Sequence, residues 1–379
     1  MFCFSTRLYA RLLVLAAILA TFPSAHAQDL QTRIDRYVAG EVETRGIPGL
    51  SVAVVRDRSV VYSGAYGVEK LGDSEKLTPR HIFHFASLSK PFVATAIMQL
   101  VETGKVRLDD PLTKFLPYFS LSDERFRDIT IRQMLNHTSG IPDVEDYEWN
   151  KPQFDEGAAE RYVRAIASER LLWAPGTQWR YSNMAFDVLG DVIAKASGKS
   201  FEAYMRANIL EPLGMHSSTF IYPEVDEALR TKGHVGNPPK VSDVYPYNRP
   251  HAPSSTLNSS VVDMVRWMLV NLNRGELDGQ RILQAKSYDL LWTPTAETTM
   301  DGSRIGLSWF LGQHSTHRTV FHPGGDTGFR SYILLLPDDG IGIALVSNWD
   351  GTPREALVAG IRDILLASDP ISDGDQQRK

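Results

Sequence analysis

The sequence predicts an α+β fold: an antiparallel sheet assembled from both chain ends and flanked by helices, with a mostly helical domain inserted between the two halves. Two observations carry this reading. Short runs rich in β-branched and aromatic residues occur near the start of the chain (50–66) and again near its end (305–347). Between them, from about 108 to 294, lie helical patches punctuated by Pro, Gly and Asn. The expected layout is a signal peptide at 1–27, a sheet lobe from 28–105 and 300–370, a helical insert lobe at 106–299 and a polar tail at 371–379.

The N-terminus has the three parts of a secretory leader. Arg7 and Arg11 precede an apolar run at 12–22, and Ala25-His26-Ala27 supplies the small residues of a cleavage site. The run is too short for a membrane-spanning helix. This predicts a protein secreted or periplasmic after cleavage near Ala27, with 352 residues from Gln28 onward and no stable membrane anchor. The one cysteine, Cys3, lies inside the leader, so the expected mature chain carries no disulfide, thiol nucleophile or Cys-ligated zinc. The net charge of −5 becomes −7 when the two arginines leave. No basic surface for nucleic acid is indicated, and the composition, 43% hydrophobic and 22% charged, excludes disorder as the main reading.

In chain order, Ile34, Tyr37, Val38 and Val42 recur at helical spacing and predict an opening helix over 31–43. Residues 50–55 and 59–66 read as strands of a hairpin turned at Arg56-Asp57-Arg58. A helix is expected from about 85 to 102, ending at Gly104. Further helical patches fall at 131–135, 158–168, 186–196 and 260–272, the last started by Ser260 with Asp263 three residues on. Strands are expected at 305–311, 319–322, 329–337 and 341–347, with Pro337-Asp338-Asp339-Gly340 turning the last pair. A helix over 353–367 closes the fold.

Three motifs carry chemistry. Ser87-Leu88-Ser89-Lys90 places a serine and a lysine at i and i+3, on one face of a starting helix. A lysine in a closed cleft loses charge by desolvation and can serve as base to the serine. Pro91 fits only the first turn of such a helix. Arg180-Tyr181-Ser182-Asn183 lies at a loop-to-helix boundary, where Tyr181 relays a proton if cations lower its pKa and Asn183 orients a substrate amide. Phe321-His322-Pro323-Gly324-Gly325 reads as an edge strand or bulge, because Pro323 cannot donate a ladder bond, and its glycines admit close approach of a substrate backbone. Taken singly, each motif has a blander reading: a capping serine with a solvated lysine, a helix cap, a structural histidine.

Together, and in this order, Ser-x-x-Lys, Tyr-x-Asn and a basic residue-x-Gly resemble the serine β-lactamase and penicillin-binding protein superfamily. The Tyr-x-Asn form is similar to class C β-lactamases and their D-alanyl-D-alanine carboxypeptidase, D-aminopeptidase and esterase relatives. The likeness extends through Leu108-Asp109-Asp110-Pro111-Leu112, Asn136-His137-Thr138-Ser139-Gly140-Ile141-Pro142 and Gly328-Phe329-Arg330-Ser331-Tyr332. It implies a β-lactamase/transpeptidase-like fold. It also implies Ser87 as acylated nucleophile, Lys90 as the group that holds or takes its proton and Tyr181 as general base. Asn183, His322, Gly324 and Gly325 would bind and orient substrate, with the Ser87 and Gly325 N–H groups as oxyanion hole. Two departures stand out. His322-Pro323-Gly324 replaces Lys-Thr-Gly, and His84-Phe85-Ala86 replaces a Glu-x-Gly lead-in. The first favours small esters, amides or D-amino-acid peptides over β-lactams, and makes His322→Lys an expected shift toward β-lactams.

The expected function is thus an acyl-serine hydrolase. The alternatives are a true class C-type β-lactamase or D,D-carboxypeptidase, and a non-catalytic penicillin-binding relative. No cofactor and no metal are called for, and the partner is a small-molecule ester, peptide or β-lactam; the residues assign no oligomeric state. Gly49-Leu50-Ser51-Val52-Ala53 imitates a nucleophile elbow but lacks the turn after it, and reads as core strand. His137 reads as a structural loop residue. Tyr147, Trp149 and Tyr245-Pro246-Tyr247 read as core plugs or as aromatics lining the cleft.

Overall fold

The computed structural model describes residues 25–300 and 302–368, with side chains from residue 28. The expected leader before residue 25 and the tail beyond 368 lie outside the described residues. Helix α1 (Ala25–Arg45) leads into strands β1 (Gly49–Arg56) and β2 (Ser59–Gly67), and α2 (Ser89–Glu102) follows. The central stretch contains α3 (Asn183–Ser197) and α4 (Val261–Leu272). The chain then returns to the sheet with β3 (Ala296–Glu297), β4 (Arg304–Ile305), β5 (Phe310–His314), β6 (His317–Asp326), β7 (Phe329–Leu336) and β8 (Ile341–Ser347), and ends in α5 (Arg354–Leu366).

These eight strands form one sheet in the order β2-β1-β8-β7-β6-β5-β4-β3. The antiparallel β1–β8 pairing joins the two ends of the chain, from Leu50↔Ser347 to Arg56↔Ile341. Strand β8 is buried at every residue because both sheet faces are covered. Along β1 the side chains alternate. Leu50, Val52 and Val54 pack with Leu30, Ile34 and Val38 of α1 and Leu357 and Ile361 of α5. Ala53 and Val55 face the opposite core, with Phe92 and Ile97 of α2 and Trp267 and Met268 of α4. A one-residue slip would exchange the two sets, so the double-sided core locks the register.

Local chemistry sets the ends of these elements. The β1–β2 turn places Asp57 and Arg58 at φ 49° and 65°, the paired left-handed residues of a hairpin whose twist matches its strands. Ser260 caps α4 by accepting the Asp263 N–H at 3.2 Å. The run 305–311, expected as one strand, is two: the chain reverses at Ser308 (φ 72°), and the Gly306 N–H bonds the Trp309 carbonyl. Ser51, in the elbow-like run, is fully buried mid-strand in β1. No described helix is long and apolar enough to cross a membrane.

Candidate active site

Ser87 sits in a 3₁₀ turn, Ala86–Leu88, immediately before α2. Ala86 holds φ 52°, the left-handed region that favours glycine, and it occupies the position of the lead-in glycine noted above. Ser89 pins the turn: its hydroxyl donates to the Ala86 carbonyl at 2.8 Å and accepts the Leu257 N–H at 2.9 Å. Pro91 is the third residue of α2, among the first four whose N–H groups have no intrahelical acceptor.

One turn on, Lys90 is fully buried, and its Nζ has three partners: Ser87 Oγ at 3.1 Å, Asn183 Oδ1 at 2.5 Å and the Ser254 carbonyl at 2.7 Å. Asn183 is held in turn by Asp143. Its backbone N–H donates to Asp143 Oδ1 at 2.7 Å and its amide Nδ2 at 3.0 Å. A lysine only donates and a carboxylate only accepts, so these neighbours fix which end of the Asn183 amide faces Lys90. Burial lowers the lysine to about 8, against the opposing pull of the Asp187, Asp143 and Asp326 carboxylates. The protonated form uses all three N–H bonds. After losing one proton, the amine keeps two N–H bonds on the two carbonyl oxygens. Its lone pair then points at the one partner able to reverse its role, the Ser87 hydroxyl.

Tyr181 and Asn183 flank Ser182, which caps α3 by accepting the Ala185 N–H at 3.0 Å and donates to the Pro142 carbonyl at 2.8 Å. The helix cap and the functional motif are therefore the same three residues. The Tyr181 hydroxyl hydrogen-bonds Ser87, and Lys90 Nζ lies 4.8 Å from its ring centroid. Burial nevertheless pushes the phenol well above its ordinary pKa, with Asp143 and Asp326 adding to the rise and the Ser87 bond and Arg354 opposing it. The resting group is a neutral phenol, which corrects the expectation of a cation-lowered Tyr181 base. His137, read as a structural loop residue, stacks on the Tyr181 ring (centroids 4.3 Å, 27°) and accepts the Ser182 N–H on Nδ1. It shapes its loop and fixes the tyrosine at once.

The third motif lies on β6, next to this turn. Pairing with β5 stops at Phe310↔Phe321, so from His322 onward that edge of β6 is free, as Pro323 requires. Two expectations are corrected here. His322 is fully buried; its Nδ1 donates to the Pro323 carbonyl at 2.7 Å, and burial together with the Lys90 charge lowers its pKa to about 3. It is a neutral ring inside the wall, absent from the cavity lining, and not the substrate-orienting contact expected. Gly324 is also buried. A Cβ there would fall on Ser331 Oγ and the Phe85 carbonyl, two atoms already hydrogen-bonded to each other at 2.6 Å, so the glycine lets strand meet nucleophile turn rather than substrate meet strand. Gly325, by contrast, is exposed and lines the cavity.

That cavity holds about 570 Å³ and exposes Ser87, Tyr181 and Asn183 on one side and Pro323 and Gly325 on the other. Arg330 of β7 and Arg354 at the start of α5 also line it, with Asp326 and Asp350. Sequence reasoning singled out neither arginine for the site, nor Asp143 or Ser254. Ser254 acts through its carbonyl and leaves no side-chain signal, whereas Asp143 directly follows a noted motif. The aromatic candidates stay out of the lining. Tyr147 and Trp149 stack on each other at 4.5 Å and meet His251 edge-on, and Tyr245 is partly buried with its hydroxyl on Asn258. Among the described residues no group of three or more His, Cys, Asp or Glu is arranged to hold a metal ion.

A serine–lysine pair at the seam of an antiparallel sheet and a helical layer defines a protein of the serine β-lactamase and penicillin-binding type. Residues 34–368 match the Beta-lactamase family model, and the chain belongs to that family. Protein flp of Staphylococcus aureus (strain MW2) is 30% identical over 326 residues, 84% of this chain and 63% of that protein. The chain thus spans under two thirds of the length of that relative. Penicillin-binding protein 4 of Amycolatopsis lactamdurans is 30% identical over 315 residues, covering 80% of this chain and 81% of that protein. Among solved structures, the octameric penicillin-binding protein homologue from Pyrococcus abyssi superposes with a TM-score of 0.80 at 26% identity, over 89% of this chain and 77% of its own.

Proposed function

We propose that this protein is an exported serine hydrolase that cleaves small esters, amides or D-amino-acid peptides through an acyl-serine intermediate. The observation that carries the reading is the Lys90 triad of acceptors, two fixed carbonyl oxygens and the Ser87 hydroxyl. The neutral fraction of Lys90 takes the Ser87 proton as Oγ attacks the substrate carbonyl. The tetrahedral oxyanion forms against the Ser87 and Gly325 N–H groups. The neutral Tyr181 hydroxyl passes a proton to the leaving group and recovers one from Lys90. Water then enters by the reverse relay and releases the acid.

The buried, neutral His322 supports the ester and peptide preference, since the lysine that β-lactamases carry at this motif position has no charged counterpart there. Labelling with a fluorophosphonate tests the acyl-enzyme, with Ser87→Ala as control. Rapid labelling of wild type alone is expected, and equal labelling of both proteins overturns it. Turnover of p-nitrophenyl acetate against nitrocefin tests the substrate preference; faster nitrocefin turnover refutes it.

A further inference from the structure

Lys90 is held between two elements that a buried pair of side chains ties together behind it. Its carbonyl acceptors are Asn183, the first residue of α3, and Ser254, in the one-turn helix Ala252–Ser255. Asp187 lies four residues after Asn183, on the same face of α3, and His251 lies three residues before Ser254. The two meet: His251 Nδ1 and Asp187 Oδ2 are 2.7 Å apart, and both residues are buried. A carboxylate only accepts, so Nδ1 carries the proton of this bond. Gly190 continues that face of α3, and a Cβ there would fall on the Pro253 ring, so the two helices touch directly. A bond and a contact one turn back therefore fix the spacing of the two oxygens on Lys90.

The pair is itself held from behind. Tyr147, Trp149 and Tyr162 surround the His251 ring, with centroids at 4.9, 5.7 and 4.9 Å. Its backbone N–H donates to the Asn248 carbonyl at 3.0 Å, and the neighbouring Arg249 is spent on Glu202. Packing alone gives no reason for such a pair. Burial works against the Asp187 charge, with His251, Ser254 and Lys90 opposing that rise, and an apolar pair of the same volume generally stabilises as well or better. A buried ionisable pair behind a reactive lysine points to the lysine. Of the carboxylates that favour charged Lys90, Asp187 acts most strongly, ahead of Asp143 and Asp326. The remaining titratable groups nearby are neutral: Tyr147, Tyr162 and Tyr181 are phenols that burial pushes well above their ordinary range, and burial lowers His137 and His322.

We infer that Asp187 and His251 are positioning residues for the acylation of Ser87: their bond keeps both carbonyl oxygens on Lys90, so that its lone pair is delivered to the serine, while the Asp187 charge restrains the loss of its proton. This rests on the hydrolase reading above.

Two substitutions separate the charge from the bond. Asp187→Asn keeps an oxygen for the His251 N–H and removes the charge. The inflection of fluorophosphonate labelling against pH should fall from near 8 by at least about one unit. His251→Leu removes the bond, and the labelling rate on the high-pH plateau should drop about 10-fold or more. His251→Asn, whose amide nitrogen lies close to the place of Nδ1, should recover most of that loss. A role in folding alone would lower the melting temperature of these variants and leave inflection and plateau in place, and that result overturns the inference. Equal plateaus for His251→Leu and His251→Asn overturn it as well. Should His251→Leu fail to fold, an inflection unmoved in Asp187→Asn decides against the inference by itself. NMR titration of isotope-labelled lysine in the Ser87→Ala protein, with the Lys90 signal assigned by Lys90→Met, reads the same proton without any acylation. A downward move of that titration in Asp187→Asn, with no labelling of wild type, would keep the coupling of Asp187 to Lys90 and sink the hydrolase. Labelling of wild type with a Lys90 titration unmoved by Asp187→Asn would do the reverse.

Discussion

If Lys90 is the base that activates Ser87, the rate of serine acylation must follow the neutral fraction of a single lysine. With its pKa lowered to about 8, that fraction is roughly 10% at pH 7 and roughly 90% at pH 9, so the rate should climb about ninefold between them and then level. The perturbation that isolates the cause is Asp143→Asn. The asparagine keeps an oxygen facing the Asn183 N–H groups while removing one of the carboxylates that favour the charged lysine. Through the intervening amide the two charges are about 7 Å apart, and at an effective dielectric near 20 they interact by about 2 kcal/mol, or roughly 1.5 pK units. The inflection should therefore move down, from near 8 toward about 6.5 to 7, and the variant should acylate faster than wild type at pH 6.5 relative to its own plateau. The assay is the second-order rate of fluorophosphonate labelling from pH 6 to 9.5, corrected with Ser87→Ala. A flat wild-type profile, or an inflection that stays in place in Asp143→Asn, refutes Lys90 as the base.

Other consequences are open to simpler measurements. Below pH 8 the folded protein carries a charged lysine that burial disfavours, and between about 8 and 10.5 the unfolded chain binds the extra proton, so this group adds stability as pH rises through that window, about 3 kcal/mol in all. The difference in urea-unfolding free energy between wild type and Lys90→Met should change by that amount between pH 7.5 and 10.5; a constant difference argues against it. Ala86→Gly relieves the left-handed residue before the nucleophile and should stabilise by about 1 kcal/mol in thermal melts. Gly324→Ala forces strand β6 off the nucleophile turn, should cost about 2 to 3 kcal/mol, and should slow labelling of Ser87 more than it lowers the melting temperature. His322→Lys buries a second charge close to Lys90, so it should destabilise by several kcal/mol and leave the nitrocefin-to-ester ratio unchanged, opposite to the expectation from the motif alone. A ratio that rises toward nitrocefin would restore that expectation.

Much of the site was legible because its key spacings are local. Ser87 and Lys90 meet because i and i+3 share a helix face, a consequence of helix pitch that needs no tertiary information. The cap at Ser182 was readable for the same reason. The two strand-rich ends were readable from side-chain type, and only a shared sheet accounts for them together. The break at Ser308 had only a weak signal, Gly306 and Ser308 inside an otherwise apolar run, and the β-branched and aromatic neighbours outweighed it in the reading as one strand.

By itself, the sequence determined which residues could do acyl-transfer chemistry and roughly where along the chain they lie. Tertiary structure alone decided which way each one faces. His322 looked like a substrate-orienting residue and is instead a neutral ring in the wall, because the free edge of β6 turns its backbone toward the cavity and its side chain inward. The positive charge comes from Arg330 and Arg354, more than twenty residues apart on different elements, which only the packing of α5 against the sheet brings to Gly325. The pKa of Lys90 was equally a tertiary matter. Its residue type permits a base, but complete burial, two fixed carbonyl acceptors and three distant carboxylates set the balance near 8. Spacing along one helix is a property of the local chain; side-chain orientation, burial and converging charge depend on every element packed around it.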